Sequence, residues 1–502
     1  MLLDDLPVLP VLLPLIAAPI CLLFPNNRVP GVFASLVAAL SAILSAMLLA
    51  DVATSGAIQY DLGGWAAPLG IVYRVDLTGA LVMTLVATMA ALTMPYAIRG
   101  IEKDIAPSQT SAFFAMFLIC FAGLIGVVAT GDAFNVFVFL EISSLSTYTL
   151  VAMGAKRDRR ALTAAFTYLV LGTIGATFFV IGLGLLYQVT GTLNMLDIHE
   201  RLVGQDNRVV RAAFAFIFTG LALKLAMFPL HQWLPNAYTF APSSVTAFLA
   251  STATKVAIYA MLRFLFTVFG FQFGFMDVAF GLFLFLGMVG MFVASLIAVF
   301  RDDVKTIFAY SSVAQIGYML LGISFATPEG VGAALVYIVN HAVTKAALFM
   351  AIGAVVYSIG SQRMPAFRGL AKRMPVTAGA LIVSGLALVG VPMTAGFISK
   401  WVLIRAAFEA TLPVSSLFLV LFIVSTTLLA VGYVGRLIWE MTLQEPEGQV
   451  DVKPVPLVML VPMLIVTAFT VFLGVQADGL VSLSETAARE LLDTGLGTGG
   501  AH

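Results

Sequence analysis

The sequence predicts an all-α polytopic membrane protein of about fourteen transmembrane helices. Two five-helix units are expected to repeat with opposite orientation, and one helix of each unit, span 7 and span 12, is broken. Three observations predict this. Of the 502 residues, 61% are hydrophobic and only 10% charged, with a mean hydropathy of +1.03, whereas a soluble chain carries about 25% charged residues. Apolar runs long enough to cross a bilayer recur along the whole chain, and none alternates as membrane β-strands do. Lysine and arginine gather in every second connection.

In order, the runs cover about 6–24, 31–51, 76–98, 111–130, 132–153, 161–188, 211–240, 242–266, 277–300, 304–324, 330–359, 375–410, 413–440 and 453–476. The first, LPVLPVLLPLIAAPICLLF, follows Asp4 and Asp5 rather than basic residues, so it reads as a span and not as a cleaved signal. The long connection at 51–76, with its Gly, Pro and Trp, suits an interfacial turn. Spans 4–8 contain TGDAFNVFVFLE, a long sixth run and a proline-interrupted seventh. Spans 9–13 contain RDDVKTIFAYSS, a long eleventh run and an interrupted twelfth, LVGVPMTAGFISKW. An offset of five spans reverses direction, so the units are expected to be inverted, with breaks at matching positions marking a transport path. The chain then divides into helices 1–3 (1–110), a first repeat of helices 4–8 (111–266), a second of helices 9–13 (267–440), and helix 14 with a C-terminal tail (441–502).

Connections after odd-numbered spans hold Arg28, Arg99, Lys103, Lys156, Arg157, Arg159, Arg160, Arg301, Lys305, Arg363, Arg368, Lys372, Arg373, Arg436 and Lys453. Those after even-numbered spans hold Arg74, Arg201, Arg208, Arg211, Arg263 and Arg405, with Arg489 in the tail. The bias places the odd connections in the cytoplasm, and with it both termini outside. Net charge is zero, which leaves no basic face for nucleic acid. Cys21 and Cys120 lie in separate apolar runs without metal spacing and read as buried thiols.

Four lysines remain: Lys224, Lys255, Lys345 and Lys400. Each sits deep in an apolar run, as does Glu141. A charged side chain at mid-bilayer costs roughly 2.5–3.5 kcal/mol on insertion scales, so these groups must face the interior, pair or lose their charge. In GLALKLAMFPLHQWLPNAY, Lys224 is followed by Pro229, which frees a carbonyl that lipid cannot satisfy. Glu141 and Lys224 could form a structural ion pair that fixes packing. The favoured reading is a switch, since desolvation disfavours the ammonium and a nearby carboxylate favours it. His231 is either a partner for the broken backbone or a relay. Lys255 is framed by Ser251, Thr252 and Thr254, small hydroxyl residues that let helices approach and can hold water. His341 and Lys345 stand four apart on one face of span 11. A lone histidine there would be a hydrogen-bonded core residue, whereas one paired with a lysine reads as a relay. Lys400 follows the second break, from Pro392 to Gly396, as the natural terminal station of the opposite half. No carboxylate cluster joins the histidines, so no metal site is expected. No glycine-rich nucleotide loop, catalytic triad spacing or CxxC appears, and no cofactor is expected.

At these residues the sequence resembles a known family. TGDAFNVFVFLE, LALKLAMFPLHQWLPNAYTFAPSSVTAFLASTATK, DDVKTIFAYSSVAQIGYMLLG and VNHAVTKAALF look like the proton-conducting antiporter-like subunits shared by respiratory complex I and Mrp-type multisubunit cation/proton antiporters. LGGWAAPLGI and TGDAFNVFVFLE resemble the D-type subunit of the Mrp Na⁺/H⁺ antiporter, and Lys400, where one complex I subunit carries Glu, agrees. EISSLSTY after Glu141 is closer to complex I or hydrogenase-type subunits. The resemblance implies a fourteen-helix fold with two inverted five-helix repeats. It also implies a proton pathway through Glu141 and Lys224 in the first half, Lys255 at the bridge, and Lys345 and Lys400 in the second. The implied partners are other membrane subunits of one complex, in a bacterial cell membrane, with protons and Na⁺ or another monovalent cation as cargo. The alternative is the proton-pumping subunit of a complex I-type NADH:quinone oxidoreductase or a membrane-bound hydrogenase.

Overall fold

A computed structural model describes residues 5–411, 414–446 and 452–495; Asp4 and the stretches 447–451 and 496–502 of the expected tail lie outside the described residues. The chain opens with α1 (Leu9–Cys21) and α2 (Val29–Ser55). The connection that follows folds into an antiparallel hairpin of β1 (Ile58–Asp61) and β2 (Val72–Val75), with Ile58 opposite Val75. Asp76 ends the hairpin and caps α3 (Leu77–Gly100), accepting the Gly79 N–H at 2.9 Å.

The first repeat comprises α4 (Thr110–Ala129), α5 (Ala133–Ala152), α6 (Arg160–Thr190), α7 (Met195–Leu202), α8 (Arg208–Lys224), α9 (Trp233–Phe240), α10 (Ser243–Ser251) and α11 (Ala253–Leu262). A π-helical turn over Arg263–Phe269 continues α11. The second repeat comprises α12 (Met276–Val299), α13 (Val304–Ser324), α14 (Pro328–Ile359), the short α15 (Leu370–Arg373), α16 (Pro375–Val389), α17 (Ala395–Glu409) and α18 (Ser416–Thr442). Then come α19 (Leu457–Val475) and α20 (Asp478–Gly495). Among the described residues, 11 helical stretches are long and apolar enough to cross a membrane. The short α1 and the two broken pairs α8/α9 and α16/α17 bring the crossings to the fourteen expected.

The repeats share their construction. Asp132 caps α5 through the Asn135 N–H at 2.7 Å, and Asp303 caps α13 through the Thr306 N–H at 3.0 Å. Each of these aspartates also forms an isolated antiparallel bridge to the segment after the next long helix, Asp132 with Asn194 and Asp303 with Arg363. Those long helices, α6 and α14, have 31 and 32 residues, and both end at a left-handed glycine, Gly191 and Gly360. α14 is the buried centre of the molecule, packed by α3, α10, α13, α16, α17, α19 and α20. α2, α6, α12 and α18 turn large apolar side chains such as Leu36, Phe166, Leu282 and Leu421 outward, as lipid-facing helices do.

Three expectations need correction. Lys305 is not a loop residue: it lies in the first turn of α13, fully buried, its Nζ donating to the Ala241 carbonyl at 3.1 Å. Span 8 is interrupted as well as spans 7 and 12. Thr252 leaves helical geometry between α10 and α11 (φ −126°, ψ −58°), while the Ser251 and Thr252 hydroxyls bond back to Phe248 O at 2.8 and 2.7 Å. The C-terminal stretch is not simply a tail, since α20 packs against α14 and α3 and its Ala487 carbonyl accepts the Thr78 hydroxyl at 3.1 Å. Hydropathy misses α20 because only one of its faces is apolar. Cys21 and Cys120 are both buried and free.

Candidate functional site

The site is built where helices stop inside the protein. α8 ends at Lys224, and the chain from Leu225 to Gln232 is irregular, with Ala226 in the left-handed region at φ 59°. The carbonyls released there are taken up internally: Met227 N–H donates to Ala222 O at 3.0 Å and Trp233 Nε1 to Leu223 O at 2.8 Å. Trp233 is held in place by stacking on Tyr168, centroids 3.9 Å apart. Lys224 Nζ lies 2.7 Å from Glu141 Oε1 and 2.8 Å from Ser144 Oγ, two residues one turn apart on α5. A lysine at a helix C-terminus also complements the helix dipole. Pro229 and His231 both sit in the irregular stretch. The His231 ring is stacked on Phe228 and edge-on to Tyr310, and its Nδ1 makes no hydrogen bond to the protein.

Lys255 is completely buried just past the interruption in span 8, and its Nζ donates to the Ala250 carbonyl and lies 3.4 Å from Thr254 Oγ1. The first half of the same span, α10, packs against α14, the helix that carries His341 and Lys345. His341 and Lys345 lie on one face of α14 as expected. Lys345 Nζ donates to Phe308 O at 2.8 Å and to the Ser311 hydroxyl, between the rings of Phe308 and Phe349. Neither ring nitrogen of His341 has a protein partner.

The second break runs from Gly390 to Thr394 and contains Pro392, with Gly390 at φ 91° and Met393 at φ 68°. Lys400 reaches back across it. Its Nζ donates to Val389 O, the last carbonyl of α16, at 2.7 Å and to Thr427 Oγ1 on α18 at 2.9 Å, with the Tyr318 ring 5.4 Å away. One residue before His341, Asn340 ties α14 to α17 through Ala395 O and Ser399 Oγ at 2.9 and 3.0 Å.

The structure therefore brings Glu141 into contact with Lys224, sets His341 and Lys345 on one face of α14 against the span that carries Lys255, and seats Lys400 on the second break. Among the described residues, Lys224 is the interior lysine with a carboxylate in ion-pair contact. Lys255, Lys305, Lys345 and Lys400 each hold a backbone carbonyl instead. No group of three or more His, Cys, Asp or Glu among the described residues is placed to hold a metal. Sequence reasoning missed Lys305 and the buried ion pair of Asp76 with Arg263. The acidic Arg301-Asp302-Asp303 run disguised the first as a loop residue, and 187 residues separate the partners of the second.

Residues 130–430 match the family described as NADH:quinone oxidoreductase/Mrp antiporter, TM. The chain is 37% identical over 496 residues to the N-type subunit of the NADH-quinone oxidoreductase of Desulforudis audaxviator, covering 95% of this chain and 97% of the relative. It is 30% identical over 502 residues to the D-type subunit of the Na(+)/H(+) antiporter of Alkalihalophilus pseudofirmus, covering 98% of each. Among solved structures it is similar to a chain of the membrane-bound sulfane sulfur reductase, an archaeal respiratory membrane complex, with TM-score 0.88, 30% identity and coverage of 98% and 97%. It is also similar to a chain of the Mrp complex from Dietzia sp. DQ12-45-1b, with TM-score 0.86, 25% identity and full coverage of both chains.

Proposed function

Because the chain belongs to the family of NADH:quinone oxidoreductase and Mrp antiporter transmembrane subunits, we propose that it is the proton-translocating membrane subunit of a multisubunit monovalent cation/proton antiporter. The observation that carries this reading is the Glu141–Lys224 pair at the end of a broken helix, followed by interior lysines held only by carbonyls and hydroxyls. A proton on Lys224 is stabilised by Glu141. Moved along the chain, it reaches Lys255, then His341 and Lys345, then Lys400, where hydroxyls and neutral polar groups can hold and pass it. His231, beside the first break, has an unpartnered ring nitrogen with which to join that relay. The family relatives support partners of the same kind, other membrane subunits, with protons and Na⁺ as cargo.

The finer assignments belong to the same reading. The chain divides at 110, 266 and 440 into three leading helices, two repeats and a closing segment. It resides in a bacterial cell membrane with both termini outside, as the lysine and arginine bias favours.

A second reading is favoured by the identity to the quinone oxidoreductase relative and by the likeness to the sulfane sulfur reductase: the same subunit in a redox-driven pump. What copurifies with the chain separates the two, small membrane subunits alone in the first case and iron–sulfur or nickel-site subunits in the second. The proton reading itself is tested with vesicles carrying the whole set of subunits. Lys224→Ala and Glu141→Ala should abolish cation-dependent or redox-driven ΔpH while the complex still assembles. Near-normal activity in either variant would sink it.

A further inference from the structure

A cavity of about 330 Å³, lined by charged side chains among apolar ones, opens on the face that carries the β1–β2 hairpin. Its rim is exposed at Gln59, Glu200 and Arg201, and its floor is the buried pair of Asp76 and Arg263. Arg263 belongs to the π-helical turn after α11, a deformation that recurs at functional sites. Its Nη2 donates to Asp76 Oδ1 and its Nε to the Tyr259 hydroxyl at 2.8 Å, while Tyr259 donates to Val128 O at 2.9 Å. These groups converge on Gly79. A Cβ there would stand 3.3 Å from Tyr259 Oη, 3.4 Å from Asp76 Oδ1 and 3.5 Å from Arg263 Nη2. Tyr259 lies one turn from Lys255 on α11. An open cavity with a buried carboxylate at its base thus lies at the end of the helix that carries the bridge lysine. The other charged groups near Asp76 are Arg74, which lines the cavity, and Glu490 of α20.

We propose that the Asp76–Arg263 pair is a port, the point at which protons pass between water on the hairpin face and the interior lysine chain. In the inward direction a hydronium ion in the cavity gives its proton to an Asp76 oxygen. Water is left behind in the cavity, and Asp76 returns to a carboxylate by giving the proton, through water admitted between α3 and α11, to the neutral Lys255 amine; Tyr259, whose own proton is held by Val128 O, positions Arg263. Arg263 never releases a proton; it positions Asp76 and lowers the cost of burying the carboxylate. The port rests on the reading of Lys255 as a proton carrier.

The experiment uses the intact complex in oriented proteoliposomes. Asn caps a helix as well as Asp, so Asp76→Asn removes the exchanging carboxylate while keeping the cap of α3. It should lower exchange at least about tenfold, the low end for loss of a positioned proton-transfer group. Asp76→Glu should restore exchange and alter its pH profile on the hairpin face but not on the opposite face. The double variant Asp76→Asn/Arg263→Gln avoids an unpaired buried guanidinium, so it reports on the port even if the single variant fails to assemble. Independently, Leu196→Cys on the cavity wall should be modified by a bulky, membrane-impermeant thiol reagent applied to the hairpin face, and modification should block exchange. Normal exchange in the assembled double variant, or after complete modification of the cysteine, would overturn the port. If the port variants are normal and Lys224→Ala is inactive, only the port falls. If Lys224→Ala is also normal, the proton reading falls with it.

Discussion

Lys400 shows how little a buried lysine needs in order to be tolerated. One carbonyl, one hydroxyl and the face of a tyrosine surround its ammonium. Such a site can host a neutral amine or an ammonium with small rearrangement, which is what a relay requires. An arginine at this position could still reach Val389 O and Thr427, but a guanidinium keeps its proton at pKa above about 12. Lys400→Arg is therefore expected to assemble normally and to lose most cation-dependent ΔpH in vesicles, whereas full activity would make the residue an electrostatic fixture only. Repeat symmetry sharpens the contrast with the first half. Asp132 and Asp303 are equivalent caps, so Glu141, nine residues past Asp132, corresponds to Ser312 in α13. The second repeat accordingly lacks the carboxylate that pairs with Lys224. At this scale the sequence was most legible where a charge stood alone in an apolar run, as Glu141, Lys224, Lys255, Lys345 and Lys400 do. It was opaque where burial arises from tertiary packing. Lys305 lies four residues past Arg301, and Asp76 and Arg263 sit at the ends of their runs, so each looked like a solvent-facing residue until the link at Ala241 and the turn at Tyr259 closed over them.

The broken helices are elements rather than residues, and their geometry depends on close backbone approach. At the second break a Cβ on Gly396 would stand 1.7 Å from Ala387 O, so nothing larger than glycine lets the first turn of α17 lie against the end of α16. Gly396→Ala must push the two half-helices apart and pull Lys400 from Val389 O. Overpacking of this kind costs about 1–3 kcal/mol. The variant is expected to melt at a lower temperature in detergent and to lose transport even in assembled complex. Unchanged melting and transport would show that the junction relaxes without cost. Prolines announced two of these breaks in the sequence. The third did not announce itself, because Ser251 and Thr252 are ordinary helix-packing residues until their hydroxyls capture Phe248 O and the next turn slips. Run lengths gave the number of crossings because hydropathy measures length. The same measure could not register the hairpin, α7 or α20, whose formation depends on pairing, caps and one-sided apolarity.

As a whole molecule the chain hydrogen-bonds its interior lysines but leaves Glu141 partly uncovered. Lys224 keeps only 6% of its side-chain surface, whereas Glu141 keeps 21%, on a helix that is about half-buried. A carboxylate partly open at mid-span faces either lipid, at several kcal/mol, or another subunit. Among the described residues no group of three or more His, Cys, Asp or Glu is placed to hold a metal. On the proposed reading, coupling is expected to fall to neighbouring subunits that cover Glu141 and accept or supply the second ion. The interior lysines, by contrast, are all hydrogen-bonded within the chain, so folding does not depend on those neighbours. The isolated polypeptide is expected to insert, to melt cooperatively in detergent and to show no cation/proton exchange in liposomes. Coexpression with its partner subunits should restore exchange, and Glu141→Gln should abolish what is restored. Robust sodium-dependent exchange by the purified single chain would refute this division of labour and demand a cation site within these helices.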